Sequence, residues 1–175
     1  CQSKTPIVYL NNTTGFMVGR AYEEAGMIKH GSKMIQAVTS ATVPQITLYC
    51  GASYGAGNYG MCGRGFAPRF CFSWPNARTA VMGAEQASET MAIVARAGAA
   101  RRGKEADETQ IGAMKAQITE IFESQMDVFT TSARLLDDGV IDPRDTRAVL
   151  AETLAICREA ERRKPQPIQF SVARP

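Results

Sequence analysis

Between residues 51 and 65 the chain reads Gly-Ala-Ser-Tyr-Gly-Ala-Gly-Asn-Tyr-Gly-Met-Cys-Gly-Arg-Gly, six glycines in fifteen residues, directly after the apolar run Ile46-Thr47-Leu48-Tyr49-Cys50. A strand that turns through glycine into a helix leaves several backbone N–H groups without intrachain acceptors and aimed at one point. Such a turn can hold a phosphate or a developing oxyanion, and the residues around it decide between the two.

Two side-chain or cofactor readings of this region fail on their partners, and a third, further along the chain, fails on its context. Gly51-Ala52-Ser53-Tyr54-Gly55 spells G-x-S-x-G in the strand-to-helix context of a nucleophile elbow. No histidine follows it anywhere in the chain, so Ser53 lacks the base that would activate it and reads as a small residue in a tight turn. Gly55-Ala56-Gly57-Asn58-Tyr59-Gly60 spells the dinucleotide fingerprint G-x-G-x-x-G. The helix that should carry the pyrophosphate is broken by Gly60, Gly63, Gly65 and Pro68, and the next strand ends at Pro75-Asn76 with no carboxylate for a ribose. Ala113-Met114-Lys115-Ala116 is similar to a biotin-attachment tetrapeptide. It lies in a strongly helical pattern, though, and Lys115 reads as the solvent face of a helix. What survives is backbone chemistry: two adjacent N–H groups at a glycine turn, pointing at charge that develops on oxygen.

Those amides must be positioned by the elements around them. Pro6-Ile7-Val8-Tyr9-Leu10 reads as a buried strand that stops at the loop formers Asn11-Asn12-Thr13-Thr14-Gly15. Phe16, Met17 and Val18 follow, either tucked into the core or forming a binding wall. The spacing of Met34, Ile35, Val38 and Ala41 predicts a helix over 31–41, with His30 just before it, and Pro44 ends it ahead of a strand over 46–50. A proline-bounded aromatic strand is expected within 68–75 and another short one at 79–82. Helices are predicted over 85–100, after Asp107 with Gln110 as a capping box, and from Asp142-Pro143 onward. On the second, Ile111, Met114, Ile118, Ile121, Phe122 and Met126 share one face; on the third, Val149, Leu150, Leu154 and Cys157 do. A linker at 165–167 and a strand at 168–172 close the chain.

With 175 residues, 45% of them hydrophobic and 21% charged, the chain suffices for one globular unit with a sizeable core. A net charge of +3 without interleaved basic and aromatic residues argues against nucleic acid as a partner. No apolar run reaches membrane-spanning length and the start lacks a signal peptide, so the expectation is no membrane association and a cytoplasmic or mitochondrial-matrix location. The five cysteines form no C-x-x-C pair and sit mostly in apolar runs; with a single histidine, neither a metal site nor a disulfide framework is expected. The chain opens on Cys1 and reads as an excerpt of a longer polypeptide.

The segments Asn12-Thr13-Thr14-Gly15-Phe16-Met17-Val18-Gly19, Lys29-His30-Gly31-Ser32-Lys33-Met34, Ser53-Tyr54-Gly55-Ala56-Gly57-Asn58-Tyr59-Gly60-Met61-Cys62-Gly63-Arg64, Trp74-Pro75-Asn76-Ala77-Arg78 and Val81-Met82-Gly83-Ala84-Glu85-Gln86 carry a further signal. Together with Ser132-Ala133-Arg134-Leu135-Leu136-Asp137-Asp138-Gly139-Val140-Ile141-Asp142-Pro143, they resemble the carboxyltransferase (beta) subunits of biotin-dependent acyl-CoA carboxylases, in the branch acting on methylcrotonyl-CoA and geranyl-CoA. Leu136, where methylcrotonyl members tend to carry Trp, and the different C-terminal tail lean towards geranyl-CoA.

The resemblance implies an α/β, crotonase-type fold of ββα units ending in helices, with residues 1–175 forming the later part of the second carboxyltransferase domain. It implies a homo-hexamer of beta subunits, an alpha subunit that carries biotin and its carboxylase, an acyl-CoA substrate, and no metal in this chain. By position, the backbone N–H groups of Ala56 and Gly57 would stabilise the ureido oxygen of biotin, with Gly55 shaping the turn. Phe16, Met17 and Val18 would line the biotin side of the pocket, and Asn58 and Tyr59 the acyl side. In that mechanism carboxybiotin releases CO2 and takes the γ proton of the substrate, whose dienolate recaptures the CO2. Two rivals stay open: a crotonase-fold assembly module without chemistry, and a hydratase or hydrolase, which would need a carboxylate such as Glu85 or Glu24 beside the cavity.

Overall fold

The computed structural model describes residues 1–165 and 167. Gln166 of the expected linker and the strand expected at 168–172 lie outside the described residues. Four parallel strands form one sheet: β1 (Ile7–Thr13), β2 (Gln45–Tyr54), β3 (Phe70–Ser73) and β4 (Arg78–Ala80). β2 is central, with Val8 facing Ile46 and Leu10 facing Leu48 on one side. On its other side β3 pairs with Ile46 to Tyr49, and β4 with Ala52 to Tyr54. Burial on both faces explains why Ile46, Thr47, Leu48 and Tyr49 are all buried in a row with no alternation.

Parallel neighbours need a crossover, and helices supply it. Between β1 and β2 run α1 (Arg20–Glu24) and α2 (Met27–Ser40), separated by Gly26 in the left-handed conformation. α2 therefore starts at Met27 instead of at residue 31, and His30 lies within its first turns. Gly31 sits in mid-helix because a side chain there would press on the Phe16 ring, whose nearest carbon is 3.1 Å from an added Cβ.

Both early strands outrun their expected ends. β1 continues through Asn11, Asn12 and Thr13, where the Asn12 amide oxygen accepts from the Ala52 N–H at 3.1 Å and anchors the bulge between the strands. β2 continues through Gly51, Ala52 and Ser53, so the turn lies at Gly55 and not at Gly51.

Beyond the sheet, α4 (Ala84–Arg101) and α5 (Glu108–Met126) pack as a helical hairpin. Ala87, Ser88, Ala92 and Ala99 are buried along α4, and such small residues let two helices approach closely. Arg96 on α4 pairs with Glu108 at 2.9 Å, and Glu89 pairs with Lys115. Lys115 is thus on a helix, as its pattern predicts. Asp107 caps α5 through the Thr109 and Gln110 amides. Of the face predicted on α5, Ile111 and Met126 are buried and Met114, Ile118 and Phe122 are half-buried, but Ile121 is 45% exposed.

A short α6 (Val128–Ala133) follows, and α7 (Thr146–Arg162) ends the described chain, with Thr153 and Cys157 buried. Asp142 caps a 3-10 turn at Pro143–Asp145, so α7 begins four residues past it.

Candidate functional site

The site grows from the carboxyl end of β2, the edge at which open parallel sheets gather ligands. Tyr54 leaves the strand extended, at φ −113° and ψ 144°, and the chain enters α3 (Gly55–Gly60) at once. Gly55 makes that turn at φ +56°, in the left-handed region that disfavours a side chain. An added Cβ there would also sit 3.0 Å from the Val81 carbonyl oxygen. Gly57 is required for a different reason: its Cβ would lie 2.9 Å from the Gly15 Cα and 3.0 Å from the Thr13 methyl. The segments that follow β1 and β4 therefore converge on α3.

Ala56 and Gly57 lie in the first turn of α3, where N–H groups have no intrahelical acceptor, and no side chain caps that turn. Ala56 is exposed and Gly57 is buried beneath the β1 loop. Ala56 lines a cavity of about 370 Å³ together with Phe16, Met27, Ile28, Gly31 and Ile35. The cavity wall is almost wholly aliphatic and aromatic, relieved at its edge by Ser32 and Gln36.

The residues proposed for the pocket divide into those at the cavity and those turned elsewhere. Phe16 is wedged between Gly31 and Gly60 and lines the cavity. Met17 is 54% and Val18 84% exposed, forming an apolar rim on the loop instead of a wall. Tyr59 is half exposed and stacks obliquely on Phe66, with ring centroids 5.3 Å apart.

Asn58 points inward, away from the cavity. Its Nδ2 donates to the Ser53 hydroxyl at 2.7 Å and to the Tyr49 hydroxyl at 3.2 Å. Ser53 is fully buried on β2, which removes the surface exposure a nucleophile needs.

No titrating side chain in this neighbourhood is poised for catalysis. Burial pushes the Cys71 thiol up to about 12 and raises the Cys62 thiol, so both stay protonated at neutral pH. Burial, and then the nearby Cys71, likewise hold the Tyr49 phenol well above its ordinary value. Of the two carboxylates that a hydratase would call on, Glu24 pairs with Arg20 at 2.7 Å. Glu85 opens on a separate hollow of about 240 Å³ with Thr14, Tyr54, Arg78 and Glu123. Neither lines the Ala56 cavity. Among the described residues no group of three His, Cys, Asp or Glu could hold a metal ion, and no helix is long and apolar enough to cross a membrane.

Sequence reasoning missed the support beneath the turn. Arg64 donates its backbone N–H to the Tyr49 hydroxyl at 3.0 Å and pairs through its guanidinium with Asp138 at 2.8 Å. Asp138 also accepts from the Cys71 amide at 2.8 Å. Asp137, buried beside it, accepts from Ser73, Ser132 and the Gly139 amide. The adjacent Asp137-Asp138 pair followed by Gly139 was the only trace of this loop's role in the sequence.

At the carboxyl end of the sheet, then, the first turn of α3 brings Ala56 to an apolar hollow lined by no titrating side chain. The chain matches the carboxyl transferase domain model over residues 1–170 and belongs to that family. It is 55% identical over 154 residues to a probable biotin-dependent acyl-coenzyme A carboxylase beta2 subunit of Mycobacterium tuberculosis, covering 88% of this chain and 29% of that one. It is 47% identical over 156 residues to the mitochondrial methylcrotonoyl-CoA carboxylase beta chain of Dictyostelium discoideum, covering 89% and 26%. The crystal structure of the beta subunit of P. aeruginosa geranyl-CoA carboxylase superposes with a TM-score of 0.87 at 50% identity, over 98% of this chain and 32% of that one. The transcarboxylase 12S hexamer superposes at 0.72 and 33% identity, over 97% and 30%. The fold is thus crotonase-type, as expected, and the chain spans about three-tenths of the length of the relatives it matches.

Proposed function

We propose that the protein is the carboxyltransferase component of a biotin-dependent acyl-CoA carboxylase, acting on the γ carbon of a 3-methyl-branched enoyl-CoA. The observation that carries this reading is the placement of exposed Ala56, in the uncapped first turn of α3, on the lining of an apolar cavity, in a chain half identical to beta subunits of that class. Carboxybiotin, brought by an alpha subunit, would supply the CO2 and the base.

The chain's own contribution is electrostatic. The Ala56 and Gly57 N–H groups face the ureido oxygen, where negative charge grows as CO2 leaves, and stabilise it more in the transition state than before. Phe16 and the aliphatic residues of α2 exclude water from that oxygen, which strengthens both hydrogen bonds. Because no side chain lining the cavity titrates, the proton taken from the substrate meets no competing acceptor there.

Geranyl-CoA is the substrate favoured within the class, on Leu136 and on the likeness to the P. aeruginosa beta subunit. The arrangement of the family further supports a hexamer of beta subunits, with the site completed by residues beyond this chain. The test is carboxylation by the full-length subunit reconstituted with its biotin-carrying partner, supplied with geranyl-CoA or 3-methylcrotonyl-CoA. Carboxylation of either supports the class, and the ratio of kcat/KM values ranks the two. No carboxylation of any 3-methyl-branched enoyl-CoA overturns the reading.

A further inference from the structure

We infer that Asn58 is a positioning residue, bolting α3 to β2 so that the Ala56 and Gly57 N–H groups hold a fixed direction; this rests on the reading that those amides receive the oxyanion. α3 has six residues, too few for a helix to maintain itself or its orientation without tertiary anchors. Its first turn is entered through a left-handed glycine, a flexible joint. Besides the close approaches at Gly55 and Gly57, a hydrogen-bonded anchor is found further along α3, at Asn58, the residue that follows Gly57.

The anchor is made of buried parts. The two hydrogens of the Asn58 amide go to Ser53 at 2.7 Å and Tyr49 at 3.2 Å. Both acceptors lie on β2, with Ser53 fully buried and Tyr49 2% exposed. They lie on either side of the register shift in β2, and the one Asn58 amide reaches both. The Asn58 carbonyl accepts from the Gly63 amide at 2.8 Å, which closes the chain back under α3. Gly63 carries no side chain because a Cβ would overlap the Asn58 amide. The Tyr49 hydroxyl is itself held by the Arg64 amide, and Arg64 by Asp138, so the brace extends to β3.

No hydrogen bond of the brace reaches the cavity, so its role is to hold position. Release of the bolt lets α3 pivot about Gly55, and a displacement near 1 Å at a reacting centre is enough to cost roughly a hundredfold in rate.

The experiment uses the full-length subunit with its biotin-carrying partner, and free biotin as the alternative carboxyl acceptor in the reverse direction. For Asn58→Ala we expect kcat to fall about 10- to 100-fold and the KM for biotin to rise several-fold. The KM for acyl-CoA stays within about twofold, since no acyl contact is touched. A loss of folded enzyme alone would lower Vmax and leave both KM values unchanged, and that outcome overturns the inference.

Ser53→Ala removes the shorter of the two bonds with a smaller change in volume, and serves if Asn58→Ala does not assemble. It should show the same split, and the double variant should be no worse than Asn58→Ala, because both cut one connection. Additive losses overturn the inference. Ala56→Pro, measured in parallel, separates the two levels. If it abolishes turnover while Asn58→Ala and Ser53→Ala keep kcat and biotin KM, the bolt is wrong and the amide reading stands. If Ala56→Pro turns over normally, the amide reading itself is wrong.

Discussion

Replacing Ala56 with proline removes one backbone donor and almost nothing else. Residue 56 lies in the first turn of α3, where its N–H has no intrahelical acceptor and where proline's fixed φ is compatible with a helix. Its side chain is exposed on the cavity wall, so the pyrrolidine ring has room. Stability should therefore change by no more than about 1 kcal/mol, visible as a melting temperature close to that of the parent. The rate should not be spared. Loss of one preorganised donor to a developing oxyanion costs about 2.7–4 kcal/mol, or roughly 10²–10³ in kcat. The assay is carboxylation of geranyl-CoA by the reconstituted full-length assembly, with gel filtration and a thermal melt to show that the variant is folded and assembled. Ala56→Gly, which keeps the donor, should lose far less than the proline variant. A folded Ala56→Pro protein that carboxylates at the parental rate would refute the reasoning, since the Gly57 N–H alone would then suffice and the paired-amide site would be wrong.

Asp137→Ala strands three donors, those of Ser73, Ser132 and Gly139, in a buried loop, and should lower stability by about 3 kcal/mol in urea unfolding; a change below about 0.5 kcal/mol would contradict the assignment of this loop as the anchor of β3. Alkaline titration should weaken the fold in a defined window. Burial raises the Cys71 thiol from 9.0 to about 12 and raises Tyr49 beside it, so the folded chain keeps protons that the unfolded chain releases. Their stabilisation is complete below about pH 9 and declines as pH climbs towards 12, and a urea midpoint that stays flat from pH 9 to 11 would count against it. Asn11 is fully buried with neither amide atom bonded among the described residues. Asn11→Leu, which fills the same space without the unpaired groups, should raise stability by about 1 kcal/mol, whereas a loss of that size would show that the amide has a partner in the longer protein.

Two caps were legible from the residues, because caps are local. Asp107 and Asp142 announce themselves through side-chain chemistry within three residues, and the structure places each as a cap. The strand ends were not legible, because they depend on what lies across the sheet. Asn11, Asn12 and Thr13 have the composition of a loop, but pairing with β2 keeps them extended, with Asn12 bonded to a residue forty positions away. The role of Asn58 was hidden in the same way. A polar residue just past a binding turn reads as a ligand contact, and only the positions of Ser53 and Tyr49 in the folded chain show that both amide hydrogens of Asn58 are used within the fold.

Glycine density proved to be an ambiguous signal for the same physical reason. Gly51 lies within β2 and leaves space for the Asn12 side chain, Gly63 leaves space for Asn58, and Gly57 for the backbone of the β1 loop. Gly55 alone among these four has the positive φ that the strand-to-helix turn demands. A stretch rich in glycine therefore marks where chains cross closely at least as often as where amides are free. The crossings matter to the chemistry all the same, because each one fixes α3 from a different side. β1 presses on it through Thr13 and Gly15, β2 holds it through Ser53 and Tyr49, and the β4 loop approaches it at Val81. A six-residue helix pinned on three sides can keep two amides aimed at one atom without a side chain taking part in the reaction, and the local sequence then has to be nearly free of Cβ atoms wherever those contacts fall.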